Sequence, residues 1–471
     1  MISLTAEGSA PAALRRAALE ALQRGEAAAA IASVERLSAL LSAAGGVPQA
    51  QARAQAELGD LWSVLTDHAA ALRCYERAVE LCPEQPLYWF NRAAIRRFVG
   101  DLAGAESDYD RVIALAPGDA QACLNRSELR VQTAQRNHIA ELEDKLAGAM
   151  RSAAAARQQI PLRYALAKEY EDIAEFEASW RHLSAGSILR RRQLQYDPQI
   201  DLATVDWIRA AFPASAFAGS GCPSQEPIFI LGMPRTGSTL LDRILGGHAD
   251  VFSAGELPHF SLAVVAAVEQ RLGARPTRQR LIAGAATVDF AALGADYLRR
   301  TRPRTGRTPH FTDKLPINYL YCGLIARALP NARIVHLTRH PMATCYSIYK
   351  VLFEQGYPFS YDLTELADYY AGYRRLMQHW EEAMPGRILT LAYEDLVADP
   401  AGQARRLLGQ LGLAWQPGCI DFVNNAAPVA TASASQVRRP LYDSSVALWR
   451  HYEQHLSPVY ERLVRAGIRM D

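Results

Sequence analysis

Residues 228–241, IFILGMPRTGSTLL, constrain the fold of this chain more than any other stretch. A short aliphatic run enters a glycine-bounded turn, and a helical pattern leaves it. An apolar run without polar alternation is a strand buried on both faces, which is the condition of a parallel sheet covered by helices. From Gly232 to Thr239 the spacing G-x-x-x-x-G-S-T is that of a phosphate-cradling loop, except that Ser238 stands where such a loop carries lysine. Backbone N–H groups at the turn and at the helix N-terminus can hold an anion, with the hydroxyls of Thr236, Ser238 and Thr239 as further donors. Arg235 supplies the positive charge. The missing lysine, which would reach toward β- and γ-phosphates, argues against a γ-phosphate to be transferred.

Two further runs, RIVHLTR at 333–339 and RILTLAYEDL at 387–396, are read as strands, each followed by helical sequence. The N-terminal half has a different period. Asp67, Ala71, Tyr75, Arg77, Leu81 and Pro83 recur 34 positions later as Asp101, Ala105, Tyr109, Arg111, Leu115 and Pro117. Small residues fall where two helices cross, an aromatic and aliphatic stripe follows at helical spacing, and proline ends the second helix. This unit resembles the tetratricopeptide repeat. A weaker copy spans about 25–48, and the helical pattern of 162–196 extends the solenoid to about residue 212. The small-residue and proline-rich segment AGSGCPSQEP reads as a linker. The expected organisation is a repeat domain over 1–217, a linker over 218–226 and a second domain over 227–471. The fold class is α/β: an N-terminal all-α tetratricopeptide-type solenoid, then a P-loop-like parallel sheet with helices on both faces.

Composition excludes several classes. With 51 basic and 49 acidic residues there is no bulk electrostatic case for nucleic acid. Seven scattered cysteines form neither a CxxC pair nor a disulfide framework, and no His, Cys and carboxylate spacing suggests a metal site. No stretch of about 18 apolar residues occurs, and a reducing, cytoplasmic setting is expected. The basic run Arg190, Arg191 and Arg192 reads as a solvated helix face.

PRTGST, Pro234 to Thr239, resembles the 5′-phosphosulfate loop of sulfotransferases that use 3′-phosphoadenosine-5′-phosphosulfate (PAPS), and the family's second signature fits as well. There an arginine at a strand end and a serine eight residues on hold the 3′-phosphate; RHPMATCYS supplies Arg339 and Ser347. Tyr393 in AYEDL matches a family residue near the nucleotide, and TDKLP offers Lys314. ASQVRRPLY, which contains Gln436, Val437 and Arg439, resembles the segment that closes over the cofactor. The resemblance covers about 227–465 and is nearest to protein-tyrosine sulfotransferases and to bacterial fusions of repeats with such a domain. Two positions depart from it: Leu448 precedes Trp449 where the family has a basic residue, and Val351, beside Lys350, replaces an arginine.

The resemblance implies a sulfotransferase with PAPS as donor, 3′-phosphoadenosine 5′-phosphate (PAP) as product and no metal. Glu256, eight residues after His248, matches the family's general base. Lys314, Arg235 and Ser433 are the catalytic cations and hydroxyl, and His259 and His310 are reserve bases. The acceptor stays open among a tyrosine in a protein or peptide, a glycan and a small metabolite; residues 274–280 and 353–362 are candidate acceptor loops. The repeat groove captures the acceptor or another protein, or else serves as a spacer or dimerisation arm, which leaves a homodimer open. A binding-only scaffold that senses PAP or PAPS is the rival class, and a kinase or triphosphatase is disfavoured by Ser238.

Overall fold

Aspartates start the repeat helices. Asp67, Asp101 and Asp119 each accept a hydrogen bond from a backbone N–H three residues on, Ala70, Gly104 and Ala122, all at 2.9 Å. Each satisfies one of the donors that a helix N-terminus leaves without an intrahelical partner. The computed structural model describes residues 10–43, 46–151, 156–217, 219, 221–353, 356–422, 425 and 444–470, which fall into two compact units dividing between Arg190 and Arg191.

The first unit is built of helices α1 (Ala10–Gln23), α2 (Ala27–Ala43), α3 (Pro48–Val64), α4 (His68–Leu81), α5 (Pro86–Val99), α6 (Leu102–Leu115), α7 (Ala120–Ser127), α8 (Ile139–Met150), α9 (Ala156–Asp172) and α10 (Phe176–Arg192), the last crossing the division. Pro83 and Pro117 lie just beyond α4 and α6, as the repeat predicts. A side chain at Gly59 of α3 would meet the Tyr75 ring at 2.8 Å, so the small residue is what lets α3 and α4 pack closely. Tyr75 donates to Asp60 at 2.6 Å, and its repeat equivalent Tyr109 accepts from Asn125 at 3.2 Å. Arg92 grips the buried Asp108 with two hydrogen bonds of 2.7 and 2.9 Å.

The second unit begins earlier than the sequence suggests. Helix α11 (Pro198–Ala211), expected to end the solenoid, packs within it. Arg191, read as part of a solvated face, makes two hydrogen bonds of 2.7 Å to Glu365. The described linker residues are pinned rather than loose: Cys222 N–H donates to Ala328 O at 2.8 Å, and a side chain at Gly221 would lie 2.2 Å from Arg327 O.

Its sheet contains β1 (Pro227–Gly232), β2 (Val251–Ser253), β3 (His310–Lys314), β4 (Arg333–Thr338) and β5 (Ile388–Ala392), all parallel in the order β2-β3-β1-β4-β5. Strand β5 stops at Ala392 because residues 393–398 turn into helix. The remaining helices are α12 (Ser238–Leu245), α13 (His259–Leu272), α14 (Arg278–Ala285), α15 (Phe290–Thr301), α16 (Cys322–Ala328), α17 (Pro341–Tyr349), α18 (Leu363–Ala383), α19 (Tyr393–Ala398), α20 (Pro400–Leu411), α21 (Ser444–Ala447) and α22 (Ser457–Arg465). Alternate residues of β1 face opposite layers. Ile228 and Ile230 join Leu241 and Ile244 of α12 and Leu408 of α20 in one core. Phe229 faces Phe260 of α13 and Tyr297 of α15, at ring distances of 5.9 and 5.6 Å.

Replacing Asp101 with alanine should lower stability by about 1 kcal/mol through loss of the α6 cap. The midpoint of the repeat unit's transition in urea measures this, and an unchanged midpoint would show that the cap contributes nothing.

Candidate active site

Strand β1 pairs with β3 on one side and β4 on the other, with Ile230 opposite Lys314 and Gly232 opposite Leu337. The three C-terminal ends therefore lie in a row. From β1 the chain returns to the sheet at β2, on the β3 side, whereas from β4 it goes to β5 on the other side. The crevice between β1 and β4 is the topological switch point, where open α/β sheets bind ligands.

The loop after β1 is shaped by its glycines. Gly232 has φ 146°, and a side chain there would lie 2.4 Å from Leu337 O. Gly237 has φ 94°, and a side chain there would lie 2.3 Å from the Tyr393 ring. Arg235 adopts φ 68°, a left-handed conformation that non-glycine residues enter at a cost of about 1 kcal/mol or more. Helix α12 starts at Ser238, so the amides of its first turn, which lack intrahelical partners, open toward the crevice. The Thr236 hydroxyl donates to Met233 O at 2.8 Å. Its single proton is thus spent inside the loop, contrary to the expectation that it faces an anion.

Arg339 follows β4 and donates from Nη1 to Arg235 O at 2.8 Å, while its guanidinium lies 4.9 Å from the Tyr393 ring centroid. Arg339, Arg235 and Tyr393 are thereby brought together around the loop. Ser347 lies buried in α17, the helix that leaves the Arg339 strand end. His340, which caps α17, stacks on Trp449 at 5.0 Å, and Arg450 rather than Leu448 places a cation over the Trp449 ring, at 5.2 Å. Lys350 lies over the Tyr346 ring at 5.3 Å. Ser433, Gln436, Val437 and Arg439 lie outside the described residues.

On the β3 side, Lys314 is buried, with 1% of its side chain exposed, and its ammonium donates to Glu256 Oε1 at 2.5 Å. Glu256 keeps 40% of its side chain exposed. One half of the pair is fixed by the sheet and the other faces solvent. The reserve histidines have other places. Burial, with help from Arg304 and Arg300, pushes His259 down to about 4, and His310 lies at the opposite, N-terminal end of β3.

Two buried carboxyls near Lys314 escaped the sequence reading. Asp242 of α12 accepts from Ser253 at 2.7 Å and Thr312 at 2.5 Å, tying the helix to β2 and β3. Burial raises its pKa and the Lys314 charge pulls it back. Its signal in the sequence is an acid set among the leucines and isoleucine of the first helix after the loop. Asp313 is fully buried and accepts from Tyr297 at 2.8 Å and Asn318 at 3.3 Å. Burial pushes it up to about 7, against hydrogen bonds from Tyr297, Leu257 N–H and Asn318. Among the described residues no group of three or more His, Cys, Asp or Glu side chains is arranged to hold a metal ion.

Because folding raises the Asp313 value from its ordinary 3.8, the fold prefers the neutral acid. That preference is fully present below about pH 4 and is lost as pH rises through about 7. Asp313→Asn keeps the size without the titration. Relative to the parent it should gain about 2–4 kcal/mol of stability between pH 4 and pH 8. Denaturant midpoints at the two pH values test this, and parallel profiles for parent and variant would refute it.

Residues 227–417 match the family model described as "Sulfotransferase family". An uncharacterised protein of Aquifex aeolicus (strain VF5) is 31% identical over 383 residues, 78% of this chain and 48% of the relative. A protein-tyrosine sulfotransferase of Drosophila melanogaster is 24% identical over 242 residues, 47% of this chain and 46% of the relative. Tetratricopeptide repeat protein 36 of Bos taurus is 41% identical over 68 residues, 14% of this chain and 32% of the relative. Matches to the first two relatives span about half the length of each. The region with the loop, the flanking cations and the parallel sheet is thus the one that matches the sulfotransferase family model, in a chain that also carries tetratricopeptide-type repeats.

Proposed function

We propose that the second unit transfers a sulfuryl group from PAPS to an acceptor hydroxyl. The observation that carries this reading is the Lys314–Glu256 contact of 2.5 Å at the end of β3, one strand from the anion loop. A protein that only held a nucleotide would need no carboxylate in contact with a buried ammonium beside that loop.

The residues present fit the donor. Gly232 and Gly237 let the loop turn close against Leu337 O and the Tyr393 ring, and the α12 amides with Arg235 suit the 5′-phosphosulfate. Arg339 and Ser347 would hold the 3′-phosphate across the switch point, with Tyr393 between the two ends. When bound, the donor supplies an activated sulfuryl group and a phosphate leaving group.

The chain's own side chains do the rest by positioning and charge. Glu256, reachable from solvent, takes the proton of the acceptor hydroxyl. Proton uptake removes the charge that holds the Lys314 ammonium, so Lys314 is released toward the oxygen on which negative charge grows. Arg235 shares that role, with Ser433 as a further candidate. We favour a phenolic hydroxyl such as that of a protein tyrosine, supported by the Drosophila relative named for that activity. The repeats would present the acceptor or a partner protein.

The test is transfer of labelled sulfate from PAPS to a panel of tyrosine peptides, glycans and small phenols. Glu256→Gln and Lys314→Met should each lower kcat by about 10²–10³, with binding of adenosine 3′,5′-bisphosphate nearly unchanged. Transfer to glycans alone would replace the phenol reading. Tight bisphosphate binding with no transfer to any acceptor would favour a sensor, and unchanged kcat in both variants would remove the assigned roles.

A further inference from the structure

The second unit encloses a cavity of about 310 Å³ between α11, α14, α16, α18 and the turn over 316–321. Close-packed interiors contain few voids larger than a water molecule, and ligand pockets begin at about 300 Å³. The walls are apolar: Leu202 and Ile208 of α11, Leu281 and Ile282 of α14, and Leu324 of α16. The polar groups along the wall are engaged with one another. Tyr319 donates to Tyr369 at 2.6 Å, and the single charged pair, Arg278 and Asp201, is closed at 2.7 Å, with Tyr196 also donating to Asp201 at 2.9 Å. Arg278 is half exposed, which places this pair at the rim. Apart from the Tyr321 hydroxyl, an ionic or sugar-like ligand would find these wall groups already paired, and burying polar groups without partners is unfavourable. The occupant's buried part must be uncharged and apolar.

One aromatic layer links this cavity to the transfer site. Tyr369 lies in the cavity wall and stacks on Phe359 at 3.5 Å, and Phe359 meets Tyr357 at 6.0 Å. Burial, with the Glu256 carboxylate nearby, raises the Tyr357 hydroxyl above the usual tyrosine range. It is held at φ 48° and ψ 46°, a left-handed conformation uncommon for a bulky side chain and worth noting where a ligand would pass.

We propose that the cavity receives the apolar body of the acceptor, an uncharged hydrophobic phenol or alcohol whose hydroxyl reaches Glu256 past Tyr357. The acceptor role rests on the transfer reading of Glu256 given above. It narrows the acceptor to molecules with an extended uncharged body, and it makes Tyr357 a positioning residue between body and base.

The neutral fluorophore N-phenyl-1-naphthylamine reports the cavity, and 4-octylphenol competes for it. Both should bind the full chain, and Ala285→Phe, which fills the cavity from α14, should weaken both by about tenfold or more while bisphosphate binding holds. Ile282→Ala, which lengthens the cavity, should shift the tightest binding toward longer alkylphenols. With PAPS present, 4-octylphenol should be sulfated, and Ala285→Phe should raise its KM far more than it lowers kcat. Equal probe binding in parent and Ala285→Phe, or no binding to either, would overturn the cavity assignment. Displaceable probe binding without transfer to 4-octylphenol, under conditions where another acceptor is sulfated, would overturn the acceptor role. Absence of bisphosphate binding in the parent would instead remove the donor reading, and the acceptor role with it.

Discussion

The parallel pairing of β1 between β3 and β4 is the constraint on which the second unit depends. Because all three strands run the same way, their C-terminal ends open on one edge. The register Ile230 to Lys314 and Gly232 to Leu337 then sets Lys314 on one flank of the glycine loop and Arg339 on the other. A one-residue slip would invert the facing of every β1 side chain, moving Ile228 and Ile230 out of their core and Phe229 away from Phe260 and Tyr297. The hydrophobic pattern of IFILG thus holds the geometry of two cations that lie outside it.

Much of this was legible because several levels agree. The 34-residue period predicted helices whose caps, crossings and proline ends the first unit shows. The loop glycines were legible because close backbone approach and positive φ leave no alternative residue type. Strand β3 was not. HFTDK buries Thr312, Asp313 and Lys314, three polar residues no apolar pattern would place inside a sheet, because the site is built from the strand itself. The place of α11 was also hidden. Its apolar stripe is the same whether it caps a solenoid or packs on α14 and α18, and periodicity does not say which face it meets.

Thr236 shows the limit of motif reading from the other direction. Its hydroxyl fits a family pattern, yet its proton goes to Met233 O, so it shapes the turn. The motif encodes a backbone conformation first and a set of donors second. Glycine at 232 and 237 serves the same end, since neither position could carry a side chain without meeting Leu337 O or the Tyr393 ring.

The charge balance around Lys314 depends on how deeply each carboxyl near it is buried. Asp242 and Glu256 share the charge of the buried Lys314 ammonium, and Asp313 precedes Lys314 in β3. Burial raises both aspartates, whereas Glu256 keeps part of its side chain in water. The aspartates are thereby tilted toward neutral hydrogen-bonding roles that fix α12, β2, β3 and α15, and the ammonium is left to pair with the exposed carboxylate at 2.5 Å. Differential burial thus separates two carboxyls built into the packing of α12 and β3 from the one that stays in reach of solvent.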